Sequence, residues 1–409
     1  MKLTVDRDTL RGCLEILSKV VRPAGRLPAR VDLVATDSKL ELDARDPGCL
    51  QASMTLAGEV ARPGGRSLSL TRLLAVVRSC EGEMIQIDAS RAASLVLTDV
   101  GHARRFQLGT GPIGAPGDGL EELKETVGSA SLHREDLVRM LRTISYCVAK
   151  DAHRGSLHHA SFELEADLVR MAATDGHRLA VCTSPAVTTR LGASRVDALI
   201  PRALTESLVK IAPSAGVWSF RWSRSPGNND PYVLRIEGGL LVVHCRATAQ
   251  GDPFPDWREV VPKPWVPGEP ASGAARGVLE LDRRATLAAL GRASVIVGHR
   301  LRGCVFLVDP SGLVELVASG VPEWVSGGTT DDFTGFAETL PAETRGELVT
   351  FSLQPRYLID VLKRYRTERF QVEVSHALAP LRITEVGGDG RPLSILMPMR
   401  MDDVVLRVK

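Results

Sequence analysis

Three stretches of this chain repeat one pattern, and the repeat narrows the possible folds more than any other feature. Each begins with an apolar residue, a variable residue and an arginine, and continues as a helical apolar stripe. The stretches are Val5-Asp6-Arg7 with Leu10, Leu14 and Leu17; Leu132-His133-Arg134 with Leu137, Leu141 and Ile144; and Leu281-Asp282-Arg283 with Leu290 and Ala293. In the third, Thr286 takes the first apolar position. Residues spaced by three, four and seven share one helix face. A second helical segment recurs at residues 73–78, 203–210 and 357–363, each ending its stripe on a cation, Arg78, Lys210 or Lys363. Self-similarity on this scale predicts repeated structural units.

Around the helices lie short alternating segments at residues 40–43, 84–88, 161–165, 234–237, 370–374 and 381–384. Period-two alternation predicts antiparallel strands with one face buried and one wet. The expected fold class is α+β: three tandem similar domains, each with two helices packed on an antiparallel sheet. A chain of 409 residues is too long for one core. Gly/Pro-rich stretches at 111–117 and 262–268 mark the boundaries. The expected domains are 1–122, 123–264 and 265–409, the last with a short C-terminal extension.

Composition excludes more than it identifies. The chain is 44% hydrophobic and 24% charged, with no run of eighteen apolar residues to cross a membrane. Its first residues lack the apolar core of a signal peptide. Seven cysteines without a Cys-x-x-Cys pair read as small hydrophobes in a reduced, cytoplasmic protein. The net charge of +2 gives no global field, so any nucleic-acid affinity must come from local charge placement. Cations gather on the predicted helices: Arg7, Arg11, Lys19, Arg72, Arg78, Arg139, Arg142, Lys150, Arg202, Lys210, Arg283, Arg284 and Arg292. The last helix is the densest, with Arg356, Lys363, Arg364, Arg366 and Arg369. Such residues contact phosphates without reading bases.

An enzyme finds little support. His153, His158, His159, Asp175 and His177 lie close in sequence but lack metal-ligand spacing. Neither a Gly-x-Ser-x-Gly elbow nor a Gly-x-x-x-x-Gly-Lys phosphate loop occurs. Adjacent histidines on a strand would face opposite ways. No catalytic residue, metal or cofactor is expected.

The most specific segment is Thr174-Asp175-Gly176-His177-Arg178-Leu179-Ala180, a strand–turn–strand in which Asp-Gly supplies the tight turn. Together with Phe254-Pro255-Asp256-Trp257 and Met397-Pro398-Met399-Arg400, it resembles the bacterial DNA polymerase III β subunit (sliding clamp) family over nearly the whole chain. The resemblance implies a head-to-tail homodimeric ring, nucleoid-associated, whose helices face duplex DNA and which slides because its phosphate contacts are non-specific. It implies a non-catalytic processivity factor tethering the DNA polymerase III catalytic subunit, the clamp loader and repair proteins through peptides bound in a cleft. That cleft would use Leu157, Thr174, Gly176, His177, Arg178, Leu179, Pro255, Val260, Ile395, Met397, Met399 and Arg400. DNA contacts would come from Arg22 or Arg26, with Arg78, Arg142, Lys150, Lys210, Lys363 and Arg364. Phe106, Val295 and Ile296 would meet the second subunit.

The chain also departs from the family. It continues beyond Met401 to Lys409, the stretch at 320–332 is enlarged, and a Gly/Pro-rich run replaces the usual Phe-Pro element near 111–117. A diverged paralogue that binds partners without encircling DNA is the alternative.

Overall fold

The computed structural model describes residues 1–21, 29–46, 50–91, 93–114, 125–192, 194–211, 216–224, 233–246, 253–268, 274–297, 303–309, 313–320, 334–388 and 392–400. The repeat in the sequence is a repeat in the structure. Helices α1 (Arg7–Val20), α3 (Arg134–Ile144) and α5 (Arg283–Val297) each follow directly on a strand, Lys2–Asp6, Glu125–His133 or Gly277–Asp282. Helices α2 (Leu70–Ser79), α4 (Arg202–Ile211) and α6 (Pro355–Leu362) occupy the second position of each repeat. The starts have local causes. Asp6 accepts a hydrogen bond from the Thr9 amide at 2.7 Å, and Asp282 does the same for Ala285 at 2.7 Å. A carboxylate at this position satisfies an orphan amide and opposes the positive end of the helix dipole. In α6, Pro355 occupies the first turn, where its missing N–H costs nothing.

The described chain forms two compact units. The first comprises residues 1–141, 161–170 and 184–252. It contains a five-stranded sheet ordered Glu59–Arg62, Lys2–Asp6, Met84–Arg91, Ser94–Asp99, Arg104–Gly109. It also contains a nine-stranded antiparallel sheet, in order Thr188–Leu191, Glu125–His133, Val217–Arg224, Val233–Gly238, Leu241–Arg246, Leu50–Ala57, Lys39–Arg45, Arg30–Thr36, Gly64–Ser69. Pairing of Val242 with Ser53 and of His244 with Gln51 makes this sheet continuous across sequence-distant strands. Its apolar face carries Leu33, Leu42, Phe220, Trp222, Leu234, Ile236 and Val243, all buried. The Phe162 ring stacks on Trp222 at 5.2 Å and meets Phe220 at 4.8 Å. Aromatic pairs of this geometry add about 0.5–1.5 kcal/mol beyond their burial.

The second unit comprises residues 142–160, 171–183 and 253–409. Strands Arg178–Pro185, Pro392–Leu396, Leu381–Glu385, Arg369–Val374, Gly277–Asp282 and Ala342–Gly346 follow one another, in that order, within a second nine-stranded sheet. A four-stranded sheet, Thr334–Leu340, Val314–Gly320, Cys304–Val308 and Phe351–Leu353, adjoins α5. Leu290, Ala293, Phe306, Leu316, Leu358, Val361, Phe370 and Ile383 form one core beneath α5 and α6.

Two helix placements differ from the sequence reading. Helix α6 ends at Leu362, so Lys363 is its C-cap, Arg364 and Arg366 lie beyond it, and Arg369 opens a strand. Helix α3 ends at Ile144, and Lys150 lies past the short 3₁₀ turn at Ser145–Cys147. In both places cations continue past the apolar stripe that ends the helix. Likewise His158 closes a 3₁₀ segment while His159 opens a strand, so the two do not share one strand. No described helix is long and apolar enough to cross a membrane, and no described cluster of three or more His, Cys, Asp or Glu residues could hold a metal.

Gly238 shows how tight the first unit is. A Cβ there would lie 2.4 Å from the Trp218 ring, whereas one at Gly12 on α1 meets nothing within 4 Å. Gly238→Ala is expected to destabilise the protein by about 1–3 kcal/mol through overpacking. Gly12→Ala is expected to stabilise it by about 0.5–1 kcal/mol through helix propensity. Chemical denaturation of both variants checks this, and an unchanged midpoint for Gly238→Ala would contradict the close approach.

A candidate functional site built around Arg178

The site begins with a three-residue turn, Asp175-Gly176-His177, between the strands Leu168–Thr174 and Arg178–Pro185. Gly176 adopts φ 88°, a conformation open to glycine at little cost. Asp175 Oδ1 accepts from the amides of His177 (3.1 Å) and Arg178 (3.2 Å). Thr174 donates its hydroxyl to the Arg178 carbonyl at 2.8 Å and accepts from the Gly176 amide at 3.1 Å. Each residue of the Thr-Asp-Gly segment therefore has a defined backbone task.

The turn delivers Arg178 to a site where its side chain is largely covered, only 9% exposed. Nε donates to Asp175 Oδ2 at 3.0 Å, one terminal nitrogen to Asp360 Oδ2 at 2.7 Å, and the other to the Tyr146 carbonyl at 2.9 Å. The guanidinium carbon also lies 5.1 Å from the Tyr146 ring centre and 4.5 Å from that of Tyr357. A planar guanidinium suits this combination of fork-like hydrogen bonds and aromatic faces, and an ammonium does not. His177, exposed at the rim, stacks on the other aromatic neighbour of Arg178, with ring centres of His177 and Tyr357 6.0 Å apart. Burial, followed by the charge of Asp175, raises the Tyr357 phenol above its ordinary pKa, so it stays protonated at neutral pH.

The C-terminal segment pairs with this strand. Leu179 lies opposite Ile395, and the Met397 amide donates to the His177 carbonyl at 2.9 Å. Met399 is anchored by its amide to the Ser352 carbonyl at 3.0 Å. The third segment arrives through Trp257, which packs with Ala172, Leu179, Val181 and Ile395, with Phe254 at the margin. Asp256 caps the 3₁₀ turn Trp257–Val260 by accepting from the Arg258 amide at 3.1 Å, and the Arg258 guanidinium covers the indole at 4.4 Å.

Thus the three motif segments meet around a common apolar base. Leu179 and Ile395 are buried and belong to that base. Leu157, Thr174 and Met399 are half-buried, and the Arg178 side chain is nearly buried. Gly176, His177, Pro255, Val260, Met397 and Arg400 are exposed, Val260 by 49% and Met397 by 39%. Exposed apolar side chains over a packed base, rimmed by polar groups, suit an inserted peptide anchor, and methionine adapts to varied ligands.

Four participants escaped the sequence reading: Tyr146, Tyr357, Asp360 and Arg154. The guanidinium of Arg154 comes within 3.7 Å of where a Cβ on Gly176 would stand. A signal existed for two of them. Tyr357 and Asp360 are three residues apart on one face of α6, and the chain has only four tyrosines, two of which flank Arg178.

Of the proposed DNA contacts, Arg22 and Arg26 lie outside the described residues. Arg78 and Lys210 belong to the first unit; Arg142, Lys150, Lys363 and Arg364 belong to the second. All six are exposed. Arg78 is already engaged by the Glu15 carboxylate at 3.0 Å, a surface pair weak enough to exchange. Of the proposed subunit contacts, Phe106 is half-buried on the sheet-edge strand Arg104–Gly109, and Val295 on α5 is 80% exposed. The side chain of Ile296, residues 401–409 and the enlarged stretch from 321 onward lie outside the described residues.

An α+β chain of repeated strand-then-helix units on large antiparallel sheets has the DNA clamp fold. Its fold matches a DNA polymerase sliding clamp from Pseudomonas aeruginosa with TM-score 0.81 at 22% identity, over 98% of this chain and 100% of the other. The DNA polymerase III beta subunit of Thermotoga maritima matches with TM-score 0.80 at 18% identity, with the same coverage. Residues 131–217 match the family described as DNA polymerase III beta subunit, central domain. A curated relative, the beta sliding clamp of Pseudomonas putida, is 24% identical over 98% of this chain and 100% of its own length. Over 98% of its length the chain is thus similar to bacterial beta sliding clamps, at 24% identity.

Because Arg178 joins the turn, α6 and the segment after α3, its loss strands two carboxylates. Arg178→Ala is expected to destabilise the protein by about 3 kcal/mol. Arg178→Lys should recover only part of this, since lysine cannot serve three oxygens in a plane. Equilibrium denaturation of both variants measures it, and wild-type stability in Arg178→Ala would show that the network is not stabilising.

Proposed function

We propose that this protein is a DNA sliding clamp: a non-catalytic processivity factor that closes as a head-to-tail homodimer around duplex DNA. It would tether the replicative polymerase and other replication and repair proteins through peptides seated beside Arg178. The observation that carries this reading is the meeting of the Thr-Asp-Gly-His-Arg-Leu, Phe-Pro-Asp-Trp and Met-Pro-Met-Arg segments on one apolar base, in a chain of clamp fold. The three-domain division at 1–122, 123–264 and 265–409 belongs to the proposal and draws support from the three strand-and-helix repeats. Exposed Arg142, Lys150, Lys210, Lys363 and Arg364 would supply phosphate contacts without sequence preference. Phe106 and Val295 offer apolar surface for a second copy.

A partner-binding module that does not encircle DNA is the second reading, and the exposed Met397 and Val260 would serve it equally well. Solution mass separates the two. Light scattering from micromolar to nanomolar concentration is expected to give twice 44.1 kDa. A monomer throughout would remove the ring and leave the module.

The peptide site has its own test. Joint replacement of Met399 and Arg400 by alanine is expected to weaken binding of a clamp-binding peptide by about tenfold or more while the mass stays unchanged, because a few buried anchors dominate such interfaces. Fluorescence anisotropy reads the affinity, and wild-type binding by the double variant would displace the site from this surface.

A further inference from the structure

The polar face of the nine-stranded sheet carries a row of cations that the clamp reading leaves unused. Following the register from strand to strand gives Arg190, Ser129, Arg221, Arg235, His244, Gln51, Arg45 and Arg30. One step along the same face lies a second row: Thr188, Ser131, Ser219, Glu237, Val242, Ser53, Asp43 and Asp32. Its acids neutralise part of the first row. Arg235 pairs with Glu237, Arg45 with Asp43 at 2.7 Å, and Arg30 donates to the Ser67 hydroxyl at 3.2 Å. At the other end of the row no acid is in register. Neither Arg190 nor Arg221 has an ion pair or side-chain hydrogen bond among the described residues, and both are exposed.

Arg221 stands directly opposite Arg235 on the neighbouring strand. Like charges at such a position, with Cβ atoms about 5 Å apart, oppose sheet formation. Among the described residues lining this place Glu237 is the only carboxylate, and Arg235 already pairs with it. A cavity of about 250 Å³ opens there, lined by Ser129, Ser131, Thr188, Ser219, Arg221 and Arg235 among others. The Ser131 and Thr188 hydroxyls share one hydrogen bond at 2.6 Å, which leaves one of their two hydrogens free to donate. The Ser129 and Ser219 hydroxyls make no hydrogen bond among the described residues. The place therefore combines an uncompensated guanidinium, several unused hydroxyl donors and room for one compact group.

We propose that this cavity binds a phosphate monoester or inorganic phosphate group, with Arg221 as its charged anchor and the hydroxyls of Ser129, Ser219 and the Ser131–Thr188 pair completing the shell. Guanidinium and hydroxyl donors match a tetrahedral oxyanion, and the anion would relieve the repulsion between Arg221 and Arg235. A nucleic-acid strand following the whole row suits the face less well, because Glu237, Asp43 and Asp32 would repel its phosphates along most of that path.

The test is isothermal titration of the full chain with inorganic phosphate and, separately, with a phosphoserine tripeptide, at fixed ionic strength set with chloride. Saturable binding of phosphate is expected, weakened about tenfold or more by Arg221→Gln, which removes a charge-assisted hydrogen bond. Ser219→Ala should weaken it about threefold, one neutral hydrogen bond being lost. Arg221→Lys should retain intermediate affinity. Equal or tighter binding of the tripeptide would point to a phosphorylated chain as the source, and binding of inorganic phosphate alone to the free anion. Absence of saturation at millimolar phosphate, or unchanged affinity in both Arg221→Gln and Ser219→Ala, would overturn the proposal. So would displacement from Arg221 by an unphosphorylated acidic peptide as effective as phosphate. Neither the mass of the particle nor peptide binding beside Arg178 enters this experiment, so its outcome is separate from that of the clamp reading.

Discussion

The guanidinium of Arg178 is the point on which the second unit turns. It is almost fully buried, and burying a charge costs several kcal/mol unless its hydrogen bonds are met. Three oxygens meet them: Asp175 on its own turn, Asp360 on α6, and the Tyr146 carbonyl after α3. Each comes from a different segment, so satisfying one residue fixes the relative position of three. The tyrosine faces close the remaining space, and Tyr357 carries the stack out to His177 at the surface. A rigid buried arginine and an exposed histidine thus share one aromatic support. Rigid support under exposed contact groups lowers the ordering cost of binding a flexible peptide.

The same economy appears in the sheets. Along the nine-stranded sheet alternate side chains face an apolar core, and the opposite face is mostly polar. That alternation lets one sheet run across strands from distant parts of the sequence without exposing an apolar surface. Such a sheet has no need of particular side chains on its wet face, only of charge balance. Where that balance holds, as at Arg45 with Asp43 and Gln51, the side chains are structural neighbours and little more. Where it fails, at Arg221, the face acquires a chemical preference.

The sequence was most legible where period and geometry coincide. Stripes at Leu10, Leu14 and Leu17 and at Leu137, Leu141 and Ile144 could only be helix faces, and all six residues are buried. Alternation at 84–88 and 370–374 became strands for the same reason. The Asp-Gly turn was readable because positive φ has so few chemical solutions. Helix ends were less legible. Lys363, Arg364 and Arg366 continue the composition of α6 after its apolar stripe has ended, and composition does not stop where hydrogen bonding does. Within the site, Leu179 and Ile395 were readable as members but not as its buried base. Exposure depends on what packs above a strand, here Trp257, which arrives from far along the chain. Tyr146, Tyr357 and Asp360 were missed because nothing local marks a residue whose role is to hold another side chain.

Register explains why the cation row stayed invisible as well. Arg190, Arg221, Arg235, Arg45 and Arg30 are scattered through the sequence with no spacing in common, and each alone is an ordinary strand arginine. They align only when eight strands are paired residue by residue. The acids that accompany them follow the same pairing at one end and are missing at the other. An uneven charge row on an otherwise regular face is therefore a product of topology, created by strand order rather than by any local motif. Helix faces, which are set by sequence spacing, and sheet faces, which are set by pairing, offer two different ways of assembling charge. In a chain of this fold the first would serve DNA and the second a smaller anion.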